Sequence, residues 1–230
     1  MDSIYKDGTY LEHTKTWHEE DSPWKAQQIA KIMKRNSLEP STICEVGCGA
    51  GEILNQLSLD NADTQFCGYE ISPQAFSLCE KKSKDNLSFL LKDLFQDDDR
   101  FFDIVMAIDV FEHVEDYFGF LRKLREKGEY KIFHIPLDLS VQTVLRSSPI
   151  LNGRKSVGHI HYFTKETALA TLRDTGYEVL DYFYTAGGLD LLNRGWKANV
   201  LLLPRRVSYS LNKDLAVRIL GGWSLLVLAR

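Results

Sequence analysis

The chain reads as an α/β protein of doubly wound architecture, a mostly parallel sheet with helices on both faces and a helical insertion late in the chain. Three observations predict it. Between residues 42 and 135, short apolar runs of strand length alternate with segments of helical periodicity, the pattern of repeated βαβ units. The first run ends in Glu45-Val46-Gly47-Cys48-Gly49-Ala50-Gly51-Glu52, a tight turn leading into a helix. At 230 residues and 44% hydrophobic, the chain can bury one full core, so a single domain over 1–230 is expected.

The elements follow in order. Residues 1–21 are aromatic and polar, with Tyr5, Tyr10, His13, Trp17 and His18. Ser22 then offers an N-cap and Pro23 a first helical residue, and Trp24, Ile29, Ile32 and Met33 form the apolar stripe of a helix that ends near Asn36. Thr42 to Val46 reads as the first strand. After the glycine turn, Ile53, Leu54, Leu57 and Leu59 fit a helix, and Gln65 to Glu70 a second strand. Ser72-Pro73 starts the next helix, which runs to Lys81-Lys82. Leu87 to Leu91 and Phe102 to Ile108 are strands, Val110 to Lys127 mostly helix, and Tyr130 to Ile135 a fifth strand.

Beyond Pro136 the spacing predicts a loop through Asn152-Gly153 and Gly158. Thr164 caps a helix from Lys165 to Thr175, but Thr167 stands where a capping box wants Glu or Gln, so that box is not expected. Gly176 ends the helix. Tyr177 to Thr185 and Trp223 to Ala229 read as the last strands, antiparallel to each other. The segment between them, about 188–220, is too long for a hairpin loop and should hold helices of its own. Its Leu191, Leu192, Trp196, Val200 to Leu203 and Arg205-Arg206 suit a lid, a dimer surface or a membrane-touching helix.

Composition excludes several classes. A net charge of −4 argues against nucleic acid as the main partner, since phosphate neutralisation needs clustered Lys and Arg. The N-terminus lacks the apolar core of a secretory signal, so cytoplasmic residence is the expectation, and no apolar run reaches membrane-spanning length. Cys44, Cys48, Cys67 and Cys79 form no C-x-x-C pair and read as small buried residues of a reducing compartment.

Glycines at alternate positions let the backbone approach a flat, polar ligand, with a helix N-terminus behind them. The dinucleotide pattern G-x-G-x-x-G fails here, because Glu52 occupies the place of its third glycine and would repel a pyrophosphate. Glu45 instead suits a ligand with an ammonium group. Glu70, 19 residues after Gly51 at the end of the second strand, can accept two hydrogen bonds from a ribose diol.

Glu45, Gly47, Gly49 and Gly51 match the E/D-x-G-x-G-x-G motif, and the chain resembles the class I S-adenosylmethionine-dependent methyltransferases. Phe102-Asp103-Ile104-Val105, Asp109-Val110-Phe111-Glu112-His113-Val114 and the stretch Gly158-His159-Ile160-His161-Tyr162-Phe163-Thr164 are similar to later motifs of that family. The resemblance covers about 40–186, and more weakly the last strand. It implies a seven-stranded Rossmann-like sheet, with 1–36 as an aromatic lead-in and helix, 37–135 as the cofactor-binding core and 136–230 as the acceptor-side half.

It further implies S-adenosyl-L-methionine as donor, S-adenosyl-L-homocysteine as product, and a cofactor site of Glu45, Gly47, Cys48, Gly49, Gly51, Glu70, Ile71, Asp93, Leu94, Asp109 and Val110, with Asp93 at the adenine amino group. The partner expected is a small-molecule acceptor methylated on oxygen or nitrogen, and a homodimer is compatible with the insertion. A base for the acceptor's proton is sought among the histidines near the carboxyl edge, with His113, His134 and His161 equally placed beside His159. Asp109, Glu112 and His113 also resemble the D-x-x-E-H cluster that ubiquinone-biosynthesis O-methyltransferases use for a divalent ion, but no metal is assigned. The rival readings are a binding protein without turnover and a nicotinamide-dependent oxidoreductase.

Overall fold

The computed structural model describes residues 19–186 and 196–230, with side chains of the second stretch from residue 204 onward. The expectations for Tyr5 to His18 and for Leu191-Leu192 lie outside the described residues, as do the side chains of Trp196 and Val200 to Leu203. One seven-stranded sheet forms the centre, in the order β3-β2-β1-β4-β5-β7-β6. Strands β1 (Thr42–Val46), β2 (Gln65–Glu70), β3 (Leu87–Leu91) and β4 (Phe102–Ile108) begin and end where the apolar runs do. These pair in parallel, as do β4 and β5 (Gly128–Pro136), while β7 (Ser224–Ala229) is antiparallel to both β5 and β6 (Val179–Thr185).

Alternating residues feed two cores, which is what helices on both faces require. Ile43, Phe66, Ile104, Ile132 and Leu226 face one side, where Ile29 and Ile32 of α1 (Ser22–Arg35) and Leu54 and Leu57 of α2 (Glu52–Leu59) cover them. Their neighbours Cys44, Cys67, Val105, Phe133 and Val227 face the other, under Leu121 and Leu124 of α4 (Tyr117–Arg125) and Leu169 and Leu172 of α7 (Lys165–Asp174). All four cysteines are buried in these cores. The sheet order reverses between β1 and β4, and that switch point opens a crevice at the strands' carboxyl ends.

Several local expectations need correction. The N-cap of α1 is Asp21, not Ser22, because a 3₁₀ turn over Glu19–Asp21 carries the chain into the helix and leaves Pro23 inside its first turn. The helix expected over 110–127 is broken: a 3₁₀ turn at Phe111–His113 is separated by extended Val114 from α4, which Asp116 caps through the Gly119 N–H. The predicted loop after Pro136 contains α5 (Val141–Arg146) and α6 (Ser148–Ser156). Neither helix buries a residue, and at six and nine residues both are too short for a helical period to stand out in sequence. Lastly, α7 does start with a capping box: the Thr167 hydroxyl accepts from the Thr164 N–H at 3.0 Å, doing with a hydroxyl what Glu or Gln does elsewhere.

The short α3 (Pro73–Cys79) starts at the expected cap, with the Ser72 Oγ accepting from the Ala75 N–H. A helical pair, α8 (Trp196–Leu211) and α9 (Lys213–Leu220), fills the late insertion. Tyr177 is not part of β6 but turns into the core, where its hydroxyl donates to the Leu121 carbonyl at 2.7 Å. Asp103 is structural, since its Oδ2 accepts from the N–H groups of Ser41 and Thr42 and so fixes the start of β1 beside β4.

Candidate active site

Gly47, Gly49 and Gly51 all take positive φ, at 67°, 55° and 74°, so the turn after β1 uses the freedom that only glycine has at no steric cost. A Cβ on Gly51 would lie 2.6 Å from the Phe89 ring and 2.7 Å from Cys79 Cβ. The turn is anchored from β2 by the Tyr69 carbonyl, which accepts from the Gly47 and Cys48 N–H groups. From behind, Lys82 donates to the Ala50 carbonyl at 2.8 Å and pairs with Glu52 and Glu19.

In front of this turn lies a cavity of about 500 Å³, bounded by the ends of β1, β2, β4 and β5 and by the first turn of α1. Among the carboxylates that line or border it are Glu70, Glu45 and Asp109 in the lining and Glu112 beside His113, each with its own surroundings. Glu70 is buried, and its Oε1 accepts from the Ile71 and Ser72 N–H groups and its Oε2 from Gly49 at 2.8 Å. Burial raises its pKa, against the pull of those three donors. Glu45 is 2% exposed, and its Oε2 meets no partner. Burial pushes this carboxyl well up, Lys25 opposes that, and the charges of Glu70 and Asp109 add to it.

Asp109 sits at φ 55°, a left-handed conformation that Asp tolerates better than most side chains. Its Oδ2 pairs with Lys25 of α1 at 2.8 Å and its Oδ1 with His134 Nδ1 at 2.6 Å. Burial alone would raise this carboxyl; His134 and Lys25 hold it far below the usual range instead. His134 is bound on its other side as well, with Nε2 2.8 Å from the buried Thr185 hydroxyl.

The fourth carboxylate, Glu112, is completely buried, and neither oxygen has a hydrogen-bond partner; His113 Nε2 comes to 3.9 Å of Oε1. Burial raises its pKa well above the ordinary value, and the Asp109 charge adds to the rise. His113 packs edge-on against His159 at 4.9 Å between ring centres, and burial pushes the His113 imidazole down to about 4, helped by His159. Asp138 holds Nδ1 of His159 at 2.6 Å.

Of the residues singled out in the sequence, Glu45, Gly47, Cys48, Gly49, Gly51, Glu70, Ile71, Asp109, Val110, His113 and His134 line this cavity. Three do not. Asp93 caps a 3₁₀ turn by accepting from the Phe95 N–H, and Leu94 is wholly buried in the core. His161 is turned away, with Nε2 2.9 Å from the Val114 carbonyl and its ring against Tyr117.

The D-x-x-E-H spacing does not assemble a metal triad, since Asp109 is taken by Lys25 and His134. Ligand atoms of Glu112, His113 and His159 instead lie within 4.8 Å of one another. Lys25, Thr185 and Asp138 are additions that sequence reasoning missed. His159, expected near the carboxyl edge but not among the three equally placed bases, also lines the cavity.

The family model described as "Methyltransferase domain" matches residues 16–182. The chain belongs to this family. The match spans the glycine turn, the Glu70 turn, Asp109 and the His159 stretch, and it begins upstream of the 40–186 stretch that carries the motif resemblance.

Among solved structures, a magnesium protoporphyrin IX methyltransferase from Synechocystis PCC 6803 with bound SAH superimposes with a TM-score of 0.67 at 15% identity, covering 100% of this chain and 99% of that one. The plantazolicin methyltransferase BpumL, in complex with a monoazolic desmethylPZN analog and SAH, gives 0.64 at 15% identity over 99% and 91%. The N-methyltransferase NodS from Bradyrhizobium japonicum WM9, with S-adenosyl-L-homocysteine, gives 0.58 at 14% over 93% and 90%. Identities this low speak for the fold alone. No curated protein sequence matches the chain.

Proposed function

We propose that the chain transfers a methyl group from S-adenosyl-L-methionine to an oxygen or nitrogen of a small-molecule acceptor. The observation that carries this reading is Glu45, a carboxylate 2% exposed, with one oxygen lacking a partner, at the edge of a cavity beside a three-glycine turn. A buried, unmatched carboxylate is costly unless a cation meets it. The ammonium end of an aminoacyl ligand supplies that cation, whereas a pyrophosphate would be repelled by Glu45 and Glu52 together. Glu70 takes the ribose diol, the exposed Ile71 covers the base, and Asp93 keeps the adenine role that the family resemblance gives it, while Leu94, wholly buried, takes no part.

S-adenosyl-L-methionine supplies a methyl group already activated on a sulfonium. The chain's own work is therefore to position the acceptor, exclude water and accept one proton. His159 is the best-built base: Asp138 holds its Nδ1, the arrangement that fixes a tautomer and leaves Nε2 to take a proton. His134 has both nitrogens engaged, by Asp109 and Thr185, and orients rather than accepts. His113, held neutral by burial, borders the same space. In single-turnover transfer from labelled donor to a panel of phenols and amines, His159→Asn should slow the chemical step by about 10²–10⁴-fold at neutral pH. An undiminished rate would remove His159 from the mechanism.

A second reading is favoured by the unmatched Glu112 carboxylate. Glu112, His113 and His159 offer one carboxylate and two imidazoles to a divalent ion, which would then orient an acceptor oxygen. Cobalt added to the protein would develop visible absorption bands that Glu112→Gln weakens. Unchanged transfer in the presence of a strong chelator, with no such bands, leaves the metal-free reading.

A further inference from the structure

We propose that the helices after β5 and before β7 form a docking surface for an anionic lipid bilayer. Helices α5, α6, α8 and α9 pack in a chain, α6 on α5, α5 on α9 and α9 on α8. Each of three presents apolar side chains outward at helical spacing. On α5 these are Val141, Val144 and Leu145, the last 80% exposed. On α8, Val207 and Leu211 are four apart, and Leu211 is 81% exposed; on α9, Leu215 and Ile219 repeat the spacing. Helical residues four apart share one face, so these are stripes rather than scattered exposures.

Charge selects the occupant. Residues 141–156 and 204–220 carry seven Lys and Arg against one Asp, a net of +6, in a chain whose total is −4, which leaves −10 on the remainder. Arg205 is turned inward onto the Leu220 carbonyl and Arg218 pairs with Glu166, while Arg146 and Lys213 are exposed on α5 and α9, which carry stripes, and Arg154 and Lys155 are exposed on α6, which packs on α5. Apolar ridges flanked by basic side chains suit an interface of anionic headgroups over acyl chains. A second copy of the same face would bring like charge against like. No helix among the described residues is long and apolar enough to cross a membrane, so the contact is a surface one.

The surface is continuous with the cavity. Pro136, Val157, Gly222 and Ser224, where the chain enters and leaves these helices, line it. Docking would turn the cavity mouth toward the headgroups. It does not depend on the methyl-transfer chemistry.

The test is co-sedimentation of the full chain with vesicles of phosphatidylcholine alone or mixed with phosphatidylglycerol. Binding should require phosphatidylglycerol and weaken with salt. The triple variant R146E/R154E/K155E should lower partitioning by ~100-fold or more, from the contribution of each basic residue near an anionic surface. The pair L145S/L211S, which leaves charge unchanged, should lower it by ~10-fold or more. Both variants should keep the wild-type urea midpoint, which separates lost docking from lost folding. No binding to anionic vesicles overturns the proposal, as does undiminished binding by L145S/L211S. A dimer in sedimentation that L145S/L211S dissociates would assign the face to a second copy instead.

Discussion

Glu70→Gln probes the proposed donor site, in which one carboxylate holds the loop and is assigned the ribose of the ligand. Its two oxygens offer about four acceptor directions, and the N–H groups of Ile71, Ser72 and Gly49 occupy three. A ribose diol needs two, so donor binding must release one backbone bond, and the Gly49 contact, alone on Oε2, is the one to go. The net gain is one charge-assisted bond, about 1.5–3 kcal/mol, or roughly 10–150-fold in affinity. Glutamine can keep Oε1 on Ile71 and Ser72, but its NH₂ then faces the Gly49 N–H, donor against donor.

Two readouts follow from this geometry. Calorimetric titration with S-adenosyl-L-homocysteine should give a Kd for Glu70→Gln raised by about one to two orders of magnitude. Urea unfolding should lose about 1–3 kcal/mol, with the slope unchanged. An affinity within twofold of wild type would refute the ribose assignment. A stability equal to wild type would refute the Gly49 contact as a holding bond.

Gly51→Ala should destabilise the chain by about 2–5 kcal/mol, combining left-handed strain with overlap against Phe89 and Cys79, and urea midpoints measure it. A fall below about 1 kcal/mol would mean the turn is looser than its packing. His113 gives a pH signature. Its folded pKa near 4 lies below the ordinary 6.5, so the unfolded chain binds more protons between those values. Stability from this group is therefore full above about pH 6.5 and lost as pH falls through 4. Relative to His113→Gln, the wild type should lose on the order of 3 kcal/mol between pH 7 and pH 4, read by urea unfolding at each pH. Parallel pH curves for the two proteins would show that the imidazole is not held neutral by burial.

Strands β1 to β4 are legible to the residue because their buried faces keep mostly apolar side chains between turn signals, even though Glu45, Gly68, Ser88 and Asp103 interrupt the runs. The glycine turn and the acids at the ends of β1, β2 and β4 are legible for a related reason: local backbone geometry dictates residue type there. What sequence conceals comes from distant elements meeting. Nothing local distinguishes Lys25 from any other helical lysine, yet its ammonium neutralises Asp109 across the crevice. Thr185 of β6 meets His134 of β5 across the intervening β7, a contact between residues 51 apart in sequence.

His159 and His161 show how an irregular backbone defeats pattern reading. In a regular strand, residues two apart share a face. Here the Ile160 and His161 N–H groups both donate to the Glu112 carbonyl, the chain bends, and one imidazole enters the cavity while the other meets the Val114 carbonyl. The six residues of α5 and the nine of α6 are too few for a helical period to stand out, and neither helix buries a residue. The same exposure supports their meeting a lipid surface.

We propose that the cavity beside Gly47, Gly49 and Gly51 takes a donor whose ammonium end meets Glu45. Calorimetric titration of the full chain with S-adenosyl-L-homocysteine and, separately, with NAD, using wild type and Glu45→Gln, tests it most directly. Recognition through Glu45 predicts 1:1 binding of S-adenosyl-L-homocysteine, weakened by Glu45→Gln, and none of NAD. Saturable NAD binding with no response to S-adenosyl-L-homocysteine would contradict it.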